Sequence, residues 1–309
     1  MHISGSFLDA EAGDIPAQNW GPKEWEAQFD MFVKMQMDTL VVIRCVTDWH
    51  AIYPSKHAKV PLVSPDDLLE FYLTLADKRH LKIFVGTYDT CVHWYRNDWQ
   101  AEVEAGLPYL DEIWERYGHH PSFYGWYMSH EGDERFDMPK IWKPLISHIK
   151  KIGAGKPILI SPRYAADKYH GVCVGSGSRP LSPKQHAHYT EYMLGEMEGL
   201  VNHAAYMDGH CHFEDLKAYV EVTAKLCRRF KIDFWANVET FDRDMPWRFP
   251  PIEWVKLKFK MDVQAQYVSK MITFEAPHFL SPYSMFPSAR SLFDRYCEHY
   301  LGWQVPARL

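Results

Sequence analysis

The chain has 309 residues, 47% of them hydrophobic, enough for two small domains or for one α/β barrel of the kind that runs to about 250 residues and beyond. A net charge of −6 and a pI near 6.3 leave no basic stripe to neutralise phosphates, so nucleic acid is excluded as the main partner. No run approaches the roughly 18 uninterrupted apolar residues of a bilayer span, so no membrane partner is expected either.

Short apolar runs alternate with longer amphipathic stretches, the pattern of repeated βα units. The first run, 2–8, opens the chain with no basic and apolar leader before it, which places the protein in the cytoplasm, or outside it if a leader has been trimmed. A helical pattern at 22–37, opened by Pro22, leads to a second run at 39–46. Another at 65–79, opened by Ser64-Pro65-Asp66-Asp67, leads to a third at 82–88. A helix over 98–117, stopped by Gly118, precedes the fourth run at 122–129, and one over 137–152, stopped by Gly153, precedes the fifth at 157–161. The runs 204–208, 232–238 and 271–275 follow, interleaved with helical patterns at 183–198, 213–229, 250–268 and 284–300. Prolines just inside helix starts and glycines just past helix ends sit where the backbone favours them. Eight strands, each followed by a helix, close a (β/α)8 TIM barrel, and with no linker dividing it, 1–309 reads as a single domain. The six cysteines, Cys45, Cys91, Cys173, Cys211, Cys227 and Cys297, lack close metal spacing and read as free thiols.

In such a barrel the chemistry sits at the C-terminal ends of the strands. Two of the runs, Phe123 to Glu131 and Phe234 to Glu239, are aromatic strands that stop at a glutamate. Glu131 and Glu239 therefore project into one mouth and are the candidate catalytic pair, since glycosidic cleavage needs one carboxylic acid and one carboxylate. That predicts a carbohydrate partner, an oligosaccharide or glycoside, and no cofactor. Aromatic residues make up 15% of the chain, with 12 Trp and 18 Tyr, and rings at strand ends stack on the apolar faces of sugars. The candidate substrate-binding residues at the other strand ends are Trp20, Arg44, Tyr88, Trp126, Tyr127, His130, Arg163, Asp208, His210, Asn237 and Glu275.

Alternatives stay open at several positions. Glu134 competes with Glu131 as the acid, and Glu275 with Glu239 as the nucleophile. Arg44 and Arg163 fit an anionic sugar substituent or, more simply, an ion pair with Asp48, Asp89 or Asp208. The run Asp208-Gly209-His210-Cys211-His212-Phe213-Glu214, with His203 nearby, has the side chains of a divalent-metal site, which would make the protein a metal-dependent sugar isomerase, epimerase or amidohydrolase. Against this, the His-x-His pair follows the sixth strand rather than lying in the first. A third reading is a carbohydrate-binding barrel without catalysis. The glycine-rich run 171–178 lacks the lysine of a phosphate loop and reads as a mobile active-site loop.

A fourth-strand glutamate as acid/base and a seventh-strand glutamate as nucleophile resembles the arrangement of the clan A retaining glycoside hydrolases. Over nearly the whole chain the sequence also resembles a barrel family named domain of unknown function 4434. The matching pieces are Gly5-Ser6-Phe7-Leu8-Asp9 with Trp20 and Trp25, Ile43-Arg44, Trp126-Tyr127-Met128-Ser129-His130-Glu131, Met207-Asp208-Gly209 and Trp235-Ala236-Asn237-Val238-Glu239-Thr240-Phe241. The resemblance implies a barrel and a glycoside hydrolase role, and names no sugar. One departure stands out. Clan A enzymes commonly carry Asn immediately before the acid/base, where it bonds the sugar 2-hydroxyl, and here His130 takes that place as a donor of a similar bond.

Overall fold

The structure is a computed structural model that describes residues 1–10, 15–133, 136–166, 168, 180–242 and 249–305. Eight parallel strands close a barrel in chain order: β1 (Ile3–Leu8), β2 (Thr39–Val42), β3 (Lys82–Gly86), β4 (Phe123–Met128), β5 (Ile158–Ile160), β6 (His203–Met207), β7 (Asp233–Asn237) and β8 (Lys270–Thr273), which pairs back with β1. The alternating helices are α1 (Pro22–Lys34), α2 (Leu68–Asp77), α3 (Trp99–Tyr117), α4 (Pro139–Lys151), α5 (Pro183–Glu196), α6 (Phe213–Arg229) and α7 (Trp254–Gln264), then a single turn α8 (Ala276–Phe279) and α9 (Pro287–Tyr296).

Each expected strand is present, and the ends differ for physical reasons. The expected runs 39–46 and 82–88 each break once past the barrel rim. Their tails, Val46–Thr47 and Tyr88–Asp89, pair with each other as a separate two-stranded ribbon above it. Helix α2 starts later than its proline suggests, because Asp67, two residues beyond Pro65, is the cap, its side chain accepting from the Glu70 amide at 3.0 Å. Among the described residues Cys45, Cys91, Cys211, Cys227 and Cys297 form no disulfide with one another, and Cys173 lies outside the described residues. No helix among the described residues is long and apolar enough to cross a membrane.

Side chains alternate across each strand, so the barrel has an inner core and an outer shell. Phe7, Val41, Ile43, Phe84, Tyr127, Leu159, Ala205, Trp235 and Ile272 fill the interior. The opposite faces, among them Leu40, Val42, Val85, Trp126 and Met128, pack under the helices. On β4 a register shift against β3 leaves Tyr124 as an extra residue, so that Ile83 faces Phe123 but Phe84 faces Gly125. The shift reverses the parity of the strand: Phe123 belongs to the outer shell, yet Tyr127, four residues on, belongs to the interior.

Glycine is required at the shifted position. A Cβ on Gly125 would stand 2.5 Å from the Phe84 ring and 2.6 Å from the Pro157 carbonyl oxygen, and the latter is backbone and cannot yield. Gly125→Ala is therefore expected to destabilise the protein by at least the ~1–3 kcal/mol typical of overpacking, read as a drop in urea midpoint.

At the N-terminal end of the barrel, His120 bridges two carboxylates of α2, with Nδ1 2.6 Å from Asp77 and Nε2 3.2 Å from Glu70. Burial alone would lower the imidazole pKa, but the bonds to Asp77 and Glu70 outweigh it and raise it above 6.5. Burial likewise opposes ionisation of Asp77, whose bonds from Ser122 and His120 nonetheless hold it below 3.8. The stability from His120 is thus complete below 6.5 and lost as pH rises through its higher folded-state value. That from Asp77 is present above 3.8 and lost as pH falls through its lower folded-state value. Melting temperature is expected to fall on the alkaline side of neutrality, and His120→Gln to flatten that slope.

Candidate active site

The polar residues at the C-terminal mouth form a connected group. Arg44, just past β2, lies with Nε 3.5 Å from Asp89 Oδ2 and Nη2 3.5 Å from Glu131 Oε1. Asp89 is itself fixed, its Oδ1 accepting from the Trp94 indole at 2.8 Å and the Cys91 amide at 2.7 Å. Burial would lower the Arg44 pKa, but the facing Glu131 and Asp89 carboxylates raise it, so the guanidinium stays charged. Of the two ion-pair readings of the arginines, Arg44 takes the one with Asp89. Arg163, 4% exposed, pairs instead with Asp133 at 3.7 Å, and its amide donates to the Gly132 carbonyl at 3.0 Å, tying the β4 and β5 loops together.

Tyr127 rises from the interior beneath Glu131. Its hydroxyl is buried with no hydrogen-bond partner among the described residues. Burial pushes the phenol well above its ordinary pKa and the Glu131 carboxylate adds to the rise, while Arg44 and Ser161 oppose it. On the next strands, Asn237 Nδ2 donates to Ser161 Oγ at 3.2 Å, and Ser161 donates to the Ala205 carbonyl at 2.6 Å. Beyond β7 the backbone stays extended, with the Val238 amide donating to Ile272 and the Thr240 amide to Phe274. Glu239 therefore keeps the inward parity of Trp235 and Asn237.

Glu239 is held by its backbone from both sides. Its amide donates to Asp208 Oδ1 at 3.1 Å, and its carbonyl accepts from Lys260 Nζ at 2.8 Å. Lys260 and Asp208 are themselves an ion pair at 2.6 Å, and Gln264 Nε2 donates to Asp208 Oδ2 at 2.8 Å. Glu239 is 1% exposed, at the floor of the mouth, whereas the Glu131 side chain is 25% exposed, at its rim.

Several residues expected at the mouth are turned elsewhere. Trp126 lies in the outer shell, its indole donating to the Ala154 carbonyl at 3.1 Å, because the β4 register shift selects Tyr127 for the interior. Tyr88 faces α3, its ring 4.4 Å from Tyr109 and its hydroxyl donating to Asp48. His130 is fully buried and turned away from the mouth, opposite in parity to Glu131. Its Nε2 lies 2.9 Å from Glu102 Oε1 on α3, so that nitrogen is taken by the carboxylate rather than offered to a sugar as the Asn of clan A is.

Asp208 belongs to the clamp on Glu239 rather than to the mouth. A divalent ion there would have to displace an ammonium group 2.6 Å away, so the metal reading of 208–214 loses Asp208 as a ligand. His210 is also buried, its carbonyl accepting from the Lys168 amide. Asp89, Glu102 and His130 are close enough together to hold a metal, but they carry the hydrogen bonds already described from Trp94, Cys91, Thr90 and one another. Glu275 caps α8, accepting from the His278 amide at 3.0 Å and pairing with the His278 ring, so it is not placed as a rival nucleophile. Trp20 stands apart, on the wall of a side cleft. Glu134 and the run 171–178 lie outside the described residues.

Lys260 and Gln264 escape a motif search because they sit on a helix far along the chain. Their signal is position: Leu257, Lys260, Met261 and Gln264 form the buried stripe of α7, and a lysine on such a stripe needs a buried partner.

The sequence profile of a family described as a domain of unknown function, DUF4434, matches residues 3–286. The chain belongs to that family. A crystal structure from Bacteroides thetaiotaomicron VPI-5482, described as a candidate α-L-fucosidase, is similar to this DUF4434 protein at 33% identity and a TM-score of 0.90, over 97% of this chain and 93% of that one. More distant barrels share the fold. The endo-1,4-β-D-mannanase of Thermotoga petrophila RKU-1 aligns at 10% identity and a TM-score of 0.57, over 96% and 99% of the two chains. The GH99 endo-α-mannosidase of B. thetaiotaomicron aligns at 12% and 0.53, over 94% of each. No curated protein matches the DUF4434 chain. Its barrel therefore has the fold of these glycoside hydrolases.

Proposed function

We propose that this protein is a glycoside hydrolase working through Glu239 and Glu131. What supports the reading is a carboxylate just past each of two barrel strands: Glu239, buried and fixed through its own peptide by Asp208 and Lys260, and Glu131, part-exposed and facing Arg44. In this reading Glu239 attacks the anomeric carbon as the bond to the leaving oxygen breaks, and Glu131 gives that oxygen its proton. Glu131 then takes a proton from water as the water displaces Glu239, which returns the configuration to its starting hand. In this reading Tyr127, whose buried hydroxyl has no hydrogen-bond partner among the described residues, and Asn237 bond the sugar.

The test is a panel of aryl glycosides and oligosaccharides, with aryl α-L-fucosides first because of the relative just described, and with the anomer formed first read by proton NMR. Glu239→Gln is expected to abolish turnover on every substrate with the fold intact, and unchanged activity would end the proposal. Glu131→Gln is expected to lose about 10²–10⁴-fold in kcat/KM on sugar leaving groups, the usual worth of a general acid. It should lose much less on 4-nitrophenyl glycosides, whose leaving oxygen needs no proton.

A further inference from the structure

We propose that the cleft between the β1–α1 and β2–α2 loops, beside the catalytic mouth, binds a neutral sugar unit adjoining the one that is cleaved. The proposal rests on the glycoside hydrolase reading and adds where a longer substrate lies. The cleft has a volume of about 520 Å³, within the roughly 300–1,000 Å³ of small-ligand sites. One wall is aromatic and continuous: Trp20 meets Trp25 edge to face at 5.1 Å, and Trp25 meets Tyr72 at 5.0 Å. The facing lip is Leu62 and Val63, each 38% exposed. Apolar rings suit the C–H faces of a pyranose, and a few polar groups among them suit its hydroxyls.

Two polar features point at a ligand. Tyr72, on α2, is 1% exposed and lines the cleft, and no hydrogen bond reaches its hydroxyl among the described residues. A hydroxyl without a protein partner at the foot of an apolar wall is open to an acceptor on a ligand. Asp9, at the end of β1, also lines the cleft, and its charge is felt by Arg44, the residue that faces Glu131, so the cleft adjoins the mouth on that side. The charge balance selects the ligand. Burial first, then the Glu275 and Asp9 carboxylates, push the Tyr72 phenol up, and the one imidazole held against a carboxylate there, His278, is paired with Glu275. With no positive excess, a uronate or sulfated sugar gains nothing here, while a neutral one finds donors and acceptors.

The experiment uses two variants, Val63→Trp, which fills the cleft from its exposed lip, and Tyr72→Phe, which keeps the packed ring and deletes one hydroxyl. On oligosaccharides of increasing length, Val63→Trp is expected to raise KM at least tenfold and Tyr72→Phe about threefold, with kcat within twofold of the parent. Should no glycoside be hydrolysed, saturation-transfer NMR with neutral cello-, manno-, xylo- and fuco-oligosaccharides separates the two ideas. Transfer that Val63→Trp abolishes upholds the cleft while the hydrolase reading falls. KM and saturation transfer unchanged in both variants, no transfer from any neutral oligosaccharide, or preference for an oligouronide would overturn the proposal. Tyr72→Phe still decides the matter if Val63→Trp fails to fold.

Discussion

Lys260→Met is expected to destabilise the protein by about 3–5 kcal/mol, the usual cost of leaving one member of a buried ion pair without the other. Lys260 and Asp208 are 5% and 2% exposed, so water cannot take the place of the lost ammonium. Asp208→Asn alone should cost less, because the amide keeps an oxygen for the Glu239 amide, and the double variant should recover part of the Lys260→Met loss. Urea unfolding of the three variants measures the coupling. In Lys260→Met activity should fall further than stability explains, because the Glu239 carbonyl is freed and a misplacement of about 1 Å can cost 10²-fold in rate. If kcat of the folded Lys260→Met protein matches the parent, the clamp does not position Glu239 for turnover.

His130→Asn would make this chain look more like clan A and is expected to make it worse. His130 is the imidazole partner of Glu102, and both side chains are 0% exposed. Burial opposes ionisation of Glu102, but His130 and then Thr90 hold its pKa below 4.5. The shorter amide leaves the buried carboxylate with Thr90 alone, so a loss of about 3–5 kcal/mol is expected at neutral pH, with no gain in turnover. The stability that Glu102 supplies is present above 4.5 and lost as pH falls through its lower folded-state value. The gap between parent and variant should therefore narrow in acid, as thermal melts across pH would show. A gap of equal size at every pH would mean that lost packing, not the charge pair, is responsible.

These two residues show how far the sequence could be read. The strands and their order are legible because a parallel barrel buries both faces of each strand, and near-continuous apolar runs between amphipathic helices have few other uses. Glu131 and Glu239 are legible for the same reason, as polar residues where such runs stop. The facing of individual side chains is not. A single extra residue, Tyr124, exchanges Trp126 for Tyr127 at the interior, and a one-residue slip leaves no mark in composition. His130 reads as a sugar donor by analogy, but its parity and the acidic residue waiting on α3 depend on contacts between segments 28 residues apart. The clamp has the same origin, since Lys260 lies 21 residues beyond the peptide it holds.

Redesign of this scaffold meets a constraint away from its mouth. The Glu239 peptide is held from the end of β6 by Asp208 and from α7 by Lys260, while the amides of its neighbours Val238 and Thr240 donate to Ile272 and Phe274 at the end of β8. The loops at the rim are therefore the part to diversify, and the buried face of α7 is the part to leave untouched, because a change there moves Glu239 whichever sugar is sought.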